Sequence, residues 1–309
     1  MERGSPRLHE PQCDCDETGI HFPFLSPRKK RKCCSLLQPW ATRTLPKEGA
    51  EAYELLVQVK VETREHQGNL QQITMDLGRT FPDEAYFEEE GHWALQRVLT
   101  AFAKYDPGVG YVQGINFVAA ALLWHTAEAE AFWLLVHLME ERDLRDNYSP
   151  QLPGLAKHCQ IIQLLLMERL PKLHLLFCQY RITSELFITD WCLTLFGCVL
   201  PAQEMGPVLQ SFCEEGWCFF YQLVLAILRR LQAQLLRSGD ISEVLSALHP
   251  PSKSQRQSPK FLAQLQRSNE RLKWTSLLAE AKKLQLDQAY IKRLHFGFRS
   301  DTLRFGRLE

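Results

Sequence analysis

The chain has 309 residues, 45% apolar and 23% charged, the balance of a globular protein with a sizeable core. Its 36 basic and 36 acidic side chains cancel, so no global field draws it to nucleic acid. Its apolar runs fall short of the roughly 18 residues expected of a membrane span.

Residues 1–35 mix Pro, Arg, Lys, Cys and Glu without a period and read as a disordered tail. Within it, the basic run Arg28–Lys32 is followed at once by Cys33 and Cys34. Three readings stand side by side: a solvated tail, a nuclear-localisation signal, and a peripheral membrane anchor joining a polybasic patch to reversible acylation. Cys13, Cys15, Cys33 and Cys34 match no paired zinc spacing, and no metal is expected.

From Tyr53 to Leu248 the pattern is helical almost throughout. Tyr53, Leu55, Leu56, Val59 and Val61 predict a first amphipathic helix, and Leu70–Leu77 reads as a short one. Trp93, Leu95, Val98, Leu99 and Phe102 predict another. Ile115–Trp124 is apolar nearly all round, which marks a buried central helix. Ala129–Met139, Leu155–Leu170, Ser184–Leu200, Gly206–Phe212 and Trp217–Leu236 continue the series. Asp106-Pro-Gly-Val-Gly110 is a turn, and Pro150, Pro153 and Pro171 punctuate later junctions. No segment alternates with strand period, so the expected fold is all-α.

His249–Pro259 reads as a linker and Phe261–Leu286 as an amphipathic helix. Arg293–Glu309 is basic and aromatic and reads as loose. The expected organisation is a tail over 1–35, a helical body over 36–248, a linker over 249–260 and a helical extension over 261–309. Cys159, Cys178, Cys192, Cys198, Cys213 and Cys218 lie in apolar helical stretches, where cysteine acts as a small buried hydrophobe. With no secretory segment at the start, the expected compartment is reducing and cytoplasmic.

Two short strings carry the chemistry. The first is Ile73-Thr-Met-Asp76-Leu-Gly-Arg79-Thr80-Phe81-Pro82. Asp76 precedes Arg79 by three positions, so on a helix its carboxylate lies beside the guanidinium. Phe81, before a proline, is expected to be extended. The second string is Tyr111-Val-Gln113-Gly114, with Gln113 at the mouth of the central helix. There Gly114 permits close backbone approach and Asn116 braces the turn. By residues alone Arg79 also fits a surface cation at a helix C-terminus, and Gln113 an ordinary polar residue near a helix start.

The two strings, 34 positions apart between Arg79 and Gln113, resemble the paired motifs of the TBC-domain family of Rab GTPase-activating proteins. The resemblance implies that Arg79 is an arginine finger and Gln113 a glutamine finger, with Asp76, Thr80, Tyr111, Gly114 and Asn116 in support. It implies a partner, a Rab-family small GTPase of vesicle trafficking, whose site this chain completes without a substrate of its own. GTP and Mg²⁺ would belong to that partner, since this chain has no Gly-x-x-x-x-Gly-Lys phosphate loop. Two departures stand out. Leu36 replaces the arginine of an Arg-x-x-x-Trp element ending at Trp40, and Leu209–Gly216 lacks an expected Trp-Asp pair. They leave open a catalytically weak, Rab-binding scaffold.

Overall fold

The structure, a computed structural model, describes residues 36–248 and 274–301. Readings of the tail, of Arg28–Lys32 with Cys33 and Cys34, of the linker, of residues 261–273 in the expected Phe261–Leu286 helix, and of residues 302–309 lie outside the described residues. The described residues hold helices and no strand, the all-α architecture expected.

The helices are α1 (Gln38–Thr44), α2 (Gly49–Gln58), α3 (Arg64–Leu77), α4 (Glu90–Tyr105), α5 (Ile115–His125), α6 (Glu128–Glu141) and α7 (Pro153–Arg169). They continue as α8 (Pro171–Gln179), α9 (Glu185–Thr194), α10 (Met205–Glu215), α11 (Trp217–Leu235), α12 (Ile241–Leu248), α13 (Trp274–Lys283) and α14 (Gln288–Asp301). Local chemistry explains several starts. Thr63 caps α3 by accepting from His66 N–H at 3.2 Å. Glu130 reaches back from the first turn of α6 to accept Ala127 N–H at 2.8 Å. Pro39, Pro153 and Pro171 sit in the first turns of α1, α7 and α8, where a missing N–H costs nothing.

α5 is the centre. Ile115, Asn116 and Val118–Leu123 are all buried, and α3, α4, α6, α9 and α10 pack around them. Such a helix has no polar face because every side of it meets another helix. The first half of α11, Trp217–Leu228, is buried in the same way by α10, α7, α12 and α13.

The structure corrects several expectations. α1 was unforeseen, being one helical stretch of 7 residues around a proline. α2 stops at Gln58, which leaves Val59 exposed beyond it. α3 starts at Arg64, earlier than the apolar spacing from Leu70 suggested, because its first turns are polar and held by the Thr63 cap. Trp93 is 61% exposed. At 100° per residue it falls opposite the buried stripe of Leu95, Val98, Leu99 and Phe102. The helix expected over Ser184–Leu200 ends at Thr194, where Leu195 and Phe196 take positive φ of 45° and 69°. Cys178 is exposed, whereas Cys159, Cys192, Cys213 and Cys218 are buried thiols as expected, and Cys198 is half-buried.

Residues 288–301 are helical rather than loose. Tyr290 donates to Glu168 on α7 at 2.6 Å, and His295 shares a 2.8 Å hydrogen bond with the Tyr221 hydroxyl on α11. α13 lies along α11, with Arg230 paired to Glu280 and bonded to Ser276 at 3.0 Å. No helix among the described residues is long and apolar enough to cross a membrane.

Candidate functional site

The C-terminal end of α3 places the first string. Gly78 ends the helix, Arg79 N–H bonds back to Asp76 carbonyl at 3.2 Å, and the Arg79 side chain turns onto the Asp76 carboxylate as an ion pair. Asp76 is 1% exposed while the Arg79 side chain is 38% exposed. The carboxylate is therefore a buried anchor, and the guanidinium keeps part of its donor fork in solvent. Phe81 is not extended. Its φ is +43°, a strained value for a large side chain, and its ring stacks on Phe87 at 5.8 Å and meets Phe117 edge-on at 5.4 Å. Aromatic packing on both sides holds the turn that the following proline alone would have steered to β.

The second string is placed by the turn after α4 and by the start of α5. Gly110 and Gly114 both have positive φ, 60° and 114°. A Cβ on Gly114 would meet the Leu193 carbonyl oxygen at 2.6 Å, so only glycine fits there. Gln113 is exposed between them.

Two bridges tie the strings together. Tyr111 hydroxyl donates to Asp76 Oδ2 at 2.6 Å, and Asn116 Nδ2 donates to Thr80 Oγ1 at 2.7 Å. Each bridge is itself anchored. Thr80 Oγ1 donates to Asp76 carbonyl at 2.7 Å, and Asn116 Oδ1 accepts Gly114 N–H at 2.9 Å. Thr80 and Asn116 are fully buried, and Tyr111 nearly so. In that dry setting an unpaired polar atom is costly, so the network fixes one arrangement. Burial, reinforced by the bond to Asp76, pushes the Tyr111 hydroxyl above its ordinary range, so it remains a neutral donor.

Of the seven residues singled out from the sequence, Asp76, Thr80, Tyr111, Gly114 and Asn116 form a buried frame joining the two strings, while Arg79 is half-exposed on the first string and Gln113 exposed on the second. The sequence reading missed Asn69, about two helical turns before Asp76 on α3, whose Oδ1 accepts Tyr111 N–H at 3.4 Å. It also missed the Leu193 carbonyl that closes on Gly114. Neither leaves a local signal, because one is a lone polar residue on a helix and the other a backbone atom. At the departures, Trp40 lies under Arg43 and Arg142, 5.1 and 5.6 Å from its ring centre, so one cation from α1 itself and one from the end of α6 cover the indole. Phe212 and Cys213, in the segment lacking the Trp-Asp pair, are buried core. Among the described residues no cluster of His, Cys, Asp and Glu fits a metal.

The Rab-GTPase-TBC domain family model matches residues 36–236. TBC1 domain family member 12 of Xenopus tropicalis is 30% identical over 223 residues, covering 71% of this chain and 32% of its own. The Mus musculus protein of that name matches to the same extent. The Rab GTPase-activating protein eat-17 of Caenorhabditis elegans is 32% identical over 167 residues, 53% of this chain and 19% of its own. The chain thus spans about a third or less of the length of these curated relatives. The Chlamydomonas flagellar RabGAP TBC domain superposes with a TM-score of 0.62 at 25% identity, over 80% of this chain and 77% of its own. The Ypt/Rab-GAP domain of Gyp1p, at 20% identity and a TM-score of 0.59 over 82% of each chain, shares the fold. The motifs, the helical frame that joins them and the match over most of the described body agree: this chain belongs to the Rab-GTPase-TBC domain family.

Proposed function

We propose that the chain is a GTPase-activating protein for a Rab-family small GTPase, with Arg79 as arginine finger and Gln113 as glutamine finger. The observation that carries this reading is the pair of buried bridges, Asp76 to Tyr111 and Thr80 to Asn116. They lock two sequence-distant segments together while the Arg79 guanidinium and Gln113 both stay accessible. Similarity to the Rab GTPase-activating protein eat-17 supports the same partner class.

Phosphoryl transfer spreads negative charge over the transferring group, and a guanidinium brought into the site neutralises it as it develops. Asp76 holds Arg79 through one nitrogen, which pre-orients the fork before the partner arrives. The Gln113 amide both accepts and donates, so it can orient the attacking water and meet a phosphate oxygen. The nucleotide and its Mg²⁺ are assigned to the GTPase. The alternative, a weak scaffold, rests on the two departures, which lie in core packing and around Trp40 rather than at the fingers.

The test is single-turnover GTP hydrolysis across a panel of Rab proteins. With a responsive Rab, Arg79→Ala lowers the saturated rate by about 10³- to 10⁵-fold, and Arg79→Lys recovers little of it. Gln113→Ala is also damaging, while ground-state binding survives better than rate. If both alanine variants accelerate the Rab as well as the parent does, the scaffold reading replaces this one.

A further inference from the structure

Gln113 stands on a loop that one short turn elsewhere in the chain grips at its start and, at its far end, faces through a backbone carbonyl that the same turn holds. The 3₁₀ turn Arg145–Asn147, with Tyr148 after it, follows α6. At the start of the loop, Arg145 grips the Asp106 carboxylate with two parallel hydrogen bonds, Nε to Oδ2 at 2.6 Å and Nη2 to Oδ1 at 2.9 Å. The same carboxylate accepts Val109 N–H at 3.3 Å, and the Asp106 carbonyl accepts Gly110 N–H at 2.8 Å. At the far end, Tyr148 hydroxyl donates to the Leu193 carbonyl at 2.6 Å. That carbonyl oxygen is the atom a Cβ on Gly114 would strike. Arg145 holds the Asp106 carboxyl below the usual carboxylate range, chiefly through its hydrogen bonds.

We propose that Arg145 is a positioning residue for Gln113, with Tyr148 fixing the wall against which Gly114 closes. The inference rests on the reading of Gln113 as a finger. Its physical basis is that the Asp76–Tyr111 and Thr80–Asn116 bridges fix the loop only on its α3 side. An exposed amide on a glycine-flanked loop would otherwise sample many positions, and a misplacement of about 1 Å in a catalytic group can cost on the order of 100-fold. A bidentate guanidinium–carboxylate pair supplies direction as well as attraction.

The experiment has two arms on the full chain. In single-turnover hydrolysis with a responsive Rab, Arg145→Ala should lower the saturated rate by about 10- to 100-fold and move the half-saturating concentration by less than about threefold, the split expected of a residue that acts by positioning rather than by binding the partner. Arg145→Lys should recover part of the loss. The decisive readout is coupling: Arg145→Ala should add nothing to Gln113→Ala and should still slow Arg79→Ala. An equal fall in every background would mark a general weakening of the fold and overturn the proposal, as would an unchanged rate. The second arm needs no Rab. Amide hydrogen exchange over residues 107–114 should quicken by at least about tenfold in Arg145→Ala with exchange over 70–79 unchanged. Unaltered exchange in the loop overturns the proposal. A parent that accelerates no Rab refutes the proposed function, and the exchange arm then still decides whether Arg145 orders the loop.

Discussion

Tyr111→Phe is the sharpest perturbation of the buried frame, because it removes one hydroxyl and almost no volume. That hydroxyl donates at 2.6 Å to Oδ2 of Asp76, a carboxylate that is 1% exposed. Water does not reach the oxygen to replace the lost donor. Arg79 and a 3.4 Å contact from Gln72 Nε2 both fall on the other oxygen, Oδ1. The loss is therefore that of a hydrogen bond to a charged group, about 1.5–3 kcal/mol. For a domain of this size each kcal/mol moves the midpoint by about 2–4 °C, which gives a fall of about 3–12 °C. Urea unfolding and differential scanning calorimetry measure it. Tyr105→Phe is the internal control: its hydroxyl meets Glu140 at 3.1 Å at an exposed site, so its removal should stay within about 0.5 kcal/mol. A double-mutant cycle with Asp76→Asn should shrink the cost of Tyr111→Phe, since the acceptor is then neutral. A Tyr111→Phe variant no less stable than Tyr105→Phe, or a cost unchanged in the asparagine background, refutes the argument that a buried charge holds the two motifs together.

Two glycines should respond in opposite directions. Gly68 lies exposed inside α3 with open space where a Cβ would go, so Gly68→Ala should raise stability by about 0.5–1 kcal/mol, read from the urea midpoint. Gly114→Ala meets both a φ of 114° and the Leu193 carbonyl, and should lower stability by at least about 1–3 kcal/mol and impair any GTPase acceleration. Acid stability tests His158, which is buried and stacked on Trp217 at 3.6 Å, with its Nδ1 2.6 Å from Tyr221 hydroxyl. Burial holds its pKa well below the ordinary 6.5, so below that value the unfolded chain binds the proton first. Its contribution to stability is complete above about pH 6.5 and falls as pH drops, by up to about 1.4 kcal/mol per unit. In His158→Gln the slope of unfolding free energy against pH between 6.5 and 5 should be shallower, whatever the variant's stability at neutral pH; an unchanged slope refutes the assignment.

Features that repeat at short range were legible from the order of residues alone. The apolar circumference of Ile115–Trp124 marked the central helix, because a helix without a polar face must be covered on every side. The glycines of the Gln113 loop and the three-residue step from Asp76 to Arg79 foretold the turn and the ion pair, since both depend only on neighbouring residues. What periodicity leaves undetermined is which surface meets which. An apolar residue signals burial only if some other element covers it, and Trp93, out of step with its stripe, meets solvent instead. Residues 288–301 show the converse: this basic, aromatic stretch forms a helix because Glu168 on α7 and Tyr221 on α11 lie where Tyr290 and His295 reach them. The bridges Asp76 to Tyr111, Thr80 to Asn116 and Arg145 to Asp106 join residues about 35 to 39 positions apart. Such bonds leave no local pattern in a chain, since each half is an ordinary polar residue until packing brings its partner within 3 Å and excludes the water that would compete.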